Sequence, residues 1–142
     1  MNDREYRRRQ IIRGKLFLYY DLLDQIADLD TQIDETRHQY GGVKAVRYGK
    51  ASSGGGGLTN DEKMATMTVK IDYLTEKKQK LTAEAQELYQ QLHFGCLNDI
   101  QTEIVESIFR DRMNYQKTGD KIGYSLSQTF RILNEVMKIM GE

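Results

Sequence analysis

The chain has 142 residues, enough for one ordinary domain or a small domain with an elongated appendage. It has no proline, 39% apolar and 30% charged residues, which fits a soluble, mostly helical protein and leaves no run near the roughly 20 apolar residues that a membrane span needs. One cysteine, Cys96, excludes an internal disulfide, and two histidines far apart, His38 and His93, leave no ligand spacing for zinc.

Formal net charge is zero, but the charges are sorted along the chain. Residues 1–15 carry Arg4, Arg7, Arg8, Arg9, Arg13 and Lys15 against two acids. Residues 21–36 carry Asp21, Asp24, Asp28, Asp30, Asp34 and Glu35 and no base, and residues 110–138 hold six bases and three acids. The basic ends are where an acidic polymer would sit. The opening MNDREYRRRQ lacks the apolar core of a secretory signal, so the cytoplasm is the expected location.

In chain order, the spacing predicts a first helix over residues 3–40. Ile12, Leu16, Tyr19, Leu23, Ile26 and Ile33 form a coiled-coil-like seam with Asp30 as its one polar interruption. Leu22 and Leu29 widen the stripe, and KLFLYYDLL is apolar around much of its circumference, as in a helix with more than one neighbour. Residues 41–58, rich in glycine and serine, are expected to be a flexible loop. The glycine run ends in Leu58-Thr59 rather than the Lys-Ser/Thr of a phosphate-cradling loop. Thr59 with Glu62 matches a capping box opening a second helix, whose seam is Met64, Met67, Ile71, Leu74, Leu81, Ala85, Leu88 and Leu92, broken at Lys78. Two such helices of roughly 45 Å each pack most economically as an antiparallel hairpin. Gly95 in HFGC is the expected stop. A third helix follows from Asn98 or Asp99, lined by Ile100, Ile104, Val105 and Ile108 with Glu103 and Glu106 in water, and ends near Met113, where Asn114 caps the next element.

The last stretch, DKIGYSLSQTFRIL, has helix-turn-helix spacing. Tyr115, Thr118 and Ile122 face inward, Gly119 is the small residue where two helices cross, Gly123 is the turn, and Ser125 with Gln128 makes a second capping box. At about 100° per residue, Thr129, Ile132, Leu133, Val136 and Met140 share one arc, and Ser127, Arg131, Asn134 and Lys138 share the opposite one. Arginine pairs with guanine edges and asparagine with adenine edges, while serine and lysine suit phosphates.

IFRDRMNYQKTGDKIGYSLSQTFRIL resembles the last part of sigma factor region 4. Most of the chain is similar in layout to small late-gene transcription regulators of phages and prophages in Gram-positive bacteria, through SSGGGGLTNDEKMATMTVKI and GYSLSQTFRI. The resemblance implies DNA contact by the exposed side of the final helix, Ser127 and Arg131 above all. Thr118 and Thr129 depart from the aliphatic residues of that pattern, Tyr115 from its frequent tryptophan, and the link from Arg110 to Met113 lacks its usual glycine.

The expected protein is therefore all-α and non-enzymatic: a long antiparallel helical hairpin (1–93) followed by a small helix-turn-helix domain (94–142). The expected DNA-binding residues are Ser125, Leu126, Ser127, Phe130, Arg131, Asn134 and Lys138, with further phosphate contacts from Arg7, Arg8, Arg9, Arg112, Lys117 and Lys121. Double-stranded DNA, RNA polymerase and a second copy of the chain are the expected partners, with no cofactor, metal or membrane. The competing classes are a ring-forming terminase small subunit and a helical interaction protein that does not touch DNA. No nucleophile–base pair or paired carboxylates support an enzyme.

Overall fold

The computed structural model describes residues 2–50 and 59–142, with side chains described for 2–40 and 59–142. The protein is all-α, with no strand among the described residues. Helix α1 spans Asp3–Lys50 and α2 spans Asn60–Gln91. After a 3-10 turn at Phe94–Cys96, α3 runs over Asp99–Val105 and passes into a π-helical turn at Glu106–Arg110. Helices α4, Tyr115–Ile122, and α5, Leu126–Met140, complete the chain. No helix of the described residues is long and apolar enough to cross a membrane.

Helix α1 continues ten residues beyond the expected stop at Tyr40. Gly41 and Gly42 each cost a helix about 1 kcal/mol, but no proline removes a donor, and the VKAVRY that follows holds no breaker. The rest of the expected loop, residues 51–58 with its run of four glycines, lies outside the described residues.

Contacts divide the chain into two compact units, residues 24–82 and residues 1–23 with 83–142. The division cuts across both long helices, after Leu23 in α1 and after Thr82 in α2. In the first of these units, Leu29 and Ile33 of α1 pack with Leu74 of α2, flanked by half-buried Ile71 and Leu81. The seam of α2 follows the expected positions. That of α1 departs at one position: Leu23 is exposed, and Leu22 and Leu29, expected to widen the stripe, are buried in line with Ile33 and Thr36, with Ile26 half-buried. A seam through Leu23 would put Asp30 inside. Two successive steps of three residues, from Leu16 to Tyr19 to Leu22, bring Leu29 inside instead and leave Asp30 at the rim. There its carboxylate lies 2.5 Å from Lys78 Nζ, so the two polar interruptions of the seams answer each other.

The second unit has a three-dimensional core. Ile12, Leu16 and Tyr20 of α1 and Leu92 bury together with Ile104, Val105, Ile108, Phe109, Leu133, Val136, Met137 and Met140. The all-round apolar character of KLFLYYDLL is used here: Phe17 meets Phe109 edge-on at 4.7 Å, and Tyr19 lies 5.0 Å from Phe94. Burial and the nearby Glu106 carboxylate push the Tyr20 phenol up.

Three local expectations between α2 and α4 are corrected. Gly95 does not stop α2; the left-handed residue there is His93, φ 54°, and Gly95 sits inside the 3-10 turn. Ile100 is 41% exposed rather than part of the buried line. And the α-helical ladder of α3 gives way to the π turn, with Asp111 N–H donating to Glu106 O and Met113 N–H to Ser107 O, both at 2.9 Å. A π turn accommodates one extra residue, so Ser107, Ile108 and Phe109 all enter the core in succession. The chain leaves it through Arg112 at φ 55°. That conformation costs a non-glycine residue about 1 kcal/mol, offset in part by the Arg112 guanidinium 5.6 Å from the Phe17 ring centroid.

Candidate nucleic-acid interface

Three local devices set α4 and α5. The Asn114 side chain caps α4, accepting from Lys117 N–H at 2.7 Å. Gly123 ends it at φ 84°, which lets Tyr124 N–H donate to Gly119 O at 2.8 Å. Ser125 and Gln128 then exchange reciprocal bonds, Gln128 N–H to Ser125 Oγ at 3.2 Å and Ser125 N–H to Gln128 Oε1 at 2.9 Å. Ser125, an expected contact residue, thus accepts within the cap while the residue remains exposed.

Gly119 is the crossing residue. A Cβ there would sit 2.6 Å from Tyr124 O and 2.7 Å from Thr129 Oγ1, which no real contact tolerates. Thr118 and Thr129 are fully buried, and each satisfies its hydroxyl on the carbonyl four residues back, Asn114 O and Ser125 O, at 2.9 Å. The threonines thus fill aliphatic positions without leaving an orphaned polar group.

Helix α5 is strongly two-sided. Thr129, Leu133, Val136 and Met140 are buried as expected, and Ile132 is half-buried. Met137, outside the expected apolar arc, is also 2% exposed and belongs to the same core cluster as Ile12, Leu16 and Tyr20 of α1. On the other arc Ser127, Arg131, Asn134 and Lys138 are all exposed. No carboxylate among the described residues pairs with Arg131 or Lys138. Leu126 and Phe130 are each 41% exposed at the border of this arc, and the Phe130 ring meets Tyr115 edge-on at 4.6 Å.

The flanking cations separate into different groups. Lys121 is drawn to α3 and the π turn, with Nζ 3.3 Å from Ser107 Oγ and 3.9 Å from Glu103. Lys117 is exposed on α4, and Arg112 is held over Phe17. Arg7 and Arg8 line a hollow with Arg4, Ile11, Lys15 and Gly141 at the far end of α5. Arg9 instead lines a cleft with Tyr6, Gln10 and Arg13 on one side and Leu133, Asn134 and Met137 on the other. Sequence reasoning missed Arg13 as a neighbour of α5. Its Nη1 donates to Tyr115 Oη at 2.5 Å, with the guanidinium 5.9 Å from the ring centroid. The signal was present in the spacing 6, 9, 10, 13, which is one helical face, but nothing in it named the element that face would meet.

Among the described residues no three metal-ligating side chains gather, and every buried side-chain polar atom has a hydrogen-bond partner. In comparisons with known proteins, no family model, curated protein or solved structure matches this chain.

Proposed function

We propose that the protein is a DNA-binding transcription regulator in which α5 is the reading helix. The observation that carries this reading is the exposed arc Ser127, Arg131, Asn134 and Lys138, whose two cations meet no carboxylate among the described residues, on a helix whose opposite arc is packed and whose start is fixed by a left-handed glycine and a capping box. A helix entering the major groove needs both: rigid backing, and donors and acceptors left over for base edges and phosphates. Arg131 is assigned to a base edge, Asn134 to an adenine, and Ser127 and Lys138 to the backbone. In this reading the protein acts on phage or prophage late genes.

The unit of residues 24–82 supplies association in this proposal. Val69 and Tyr73 are 69% and 62% exposed and line a shallow, largely apolar hollow with Ala65, Thr66 and Lys70, a surface that favours a protein partner, either a second copy or RNA polymerase. Two linked reading helices would convert weak single-site binding into useful occupancy.

The test is a gel shift on duplex fragments selected from a random library by the wild-type protein. Arg131→Ala is expected to abolish retention of the selected fragment while helicity by circular dichroism stays unchanged. Retention equal to wild type removes α5 as the reading helix. Solution mass separates the rival packaging role: a dimer or monomer fits a regulator, and eight or more copies a packaging ring.

A further inference from the structure

We propose that α1 supplies a second DNA-contacting surface, in which Arg9 and Arg13 grip the phosphate backbone beside the groove that α5 reads. The proposal rests on the assignment of α5 as the reading helix and extends the interface to an element far away in sequence. Tyr6, Arg9, Gln10 and Arg13 fall at i, i+3, i+4 and i+7, so they share one face of α1. That face forms one wall of the cleft whose other wall includes Asn134, a member of the exposed arc of α5. A duplex laid on that arc would bring its flanking strand over this wall.

The two arginines are set for the task. Both are half-buried, and both line the cleft. Arg13 is held by Tyr115, whose ring also backs Phe130 on α5, so its position is coupled to that of the reading helix. A guanidinium has five donors, so the bond to Tyr115 leaves others for phosphate oxygens, and a held arginine loses less freedom on binding than a loose one. Arg7 and Arg8 face a separate hollow by Gly141 and are not part of this surface. The arginine run thus divides by face, not by proximity in sequence.

The experiment measures affinity by fluorescence anisotropy over 50 to 200 mM salt, on the selected duplex and on a fixed random-sequence duplex. Arg9→Gln is expected to weaken both equally and to reduce the slope of log affinity against log salt by about one. Arg9→Gln with Arg13→Gln should reduce it by about two, and Arg7→Gln should leave it unchanged. An unaltered slope in Arg9→Gln, or an equal reduction in Arg7→Gln, overturns the second surface while α5 stands. Wild-type protein that holds neither duplex in a salt-dependent way removes the α5 reading itself, and this inference with it.

Discussion

Residues 24–82 and the unit built from residues 1–23 and 83–142 draw on the same two long helices but are stabilised differently. In the former, burial follows a line: Leu29, Ile33 and Leu74, with half-buried neighbours on either side. In the latter, segments from every helix converge on Phe109, Leu16 and Ile104, none exposed at all. A line of contacts between two helices opens one turn at a time, whereas a converging core opens only as a whole. Helix α5, the proposed reading helix, belongs to the cooperative unit, and the exposed Val69 and Tyr73, proposed for association, to the other. A DNA reader must hold side chains to within about half an ångström, whereas a partner-binding face can adapt on contact.

Truncation breaks the comparison most directly. Phe109→Ala empties the centre of the converging core and is expected to cost about 3–5 kcal/mol, a large share of the ~5–15 kcal/mol that holds an ordinary domain. Leu74→Ala is expected to cost about 2–3 kcal/mol, the low end for leucine, since its surroundings are half-open and can relax. Urea unfolding gives both values. Hydrogen exchange in the wild type should show α5 amides exchanging more slowly than those of residues 60–75. A Leu74→Ala penalty above that of Phe109→Ala would show that the hairpin, not the converging core, is the main source of stability.

The turn of the helix pair offers a finer contrast, because its two glycines are needed for different reasons. At Gly119 the objection is contact: an added methyl meets a backbone carbonyl. Gly119→Ala is expected to cost about 2 kcal/mol even after the gain in helix propensity. At Gly123 nothing lies within 4 Å and the objection is φ 84° alone, so Gly123→Ala should cost about 1 kcal/mol. Thermal unfolding of the two variants measures the difference, and equal losses would contradict the close crossing at Gly119.

What could be read from the sequence was whatever depends on neighbours along the chain. The caps at Thr59, Asn98, Asn114 and Ser125 and the left-handed Gly123 are local, and all are observed. The exposed arc of α5 followed from its periodicity. The hidden features depend on partners that spacing does not name. Met137 is buried because α1 lies on that flank, Arg13 meets Tyr115 across 102 residues of chain, and Ile100 is exposed although it matches the apolar pattern. The π turn is in the same class: Ser107, Ile108 and Phe109 break any helical period, and only the core they enter explains them. The seam of α1 passes through Leu22 rather than Leu23; the two are equally apolar, and only the partner helix chooses between them.

The smallest expected effect concerns the ion pair that this choice produces. Lys78 and Asp30 retain 36% and 52% side-chain exposure, so water and salt screen their attraction, and pairs of this kind contribute about 0.2–1 kcal/mol. Lys78 itself occupies a seam position between Leu74 and Leu81. Methionine there would extend the apolar line begun by Met64 and Met67, exchanging a screened charge pair for buried thioether. Lys78→Met is therefore expected to leave the urea midpoint unchanged or raise it slightly, and Asp30→Ala in that background should change nothing further. A loss above about 1 kcal/mol in Lys78→Met would mean that the pair fixes the register of the two helices, a role charged groups at seam positions do fill elsewhere. Hydrogen exchange distinguishes the two cases: a slipped register speeds exchange along the whole of residues 60–82, whereas a lost surface pair affects only the turn around Lys78.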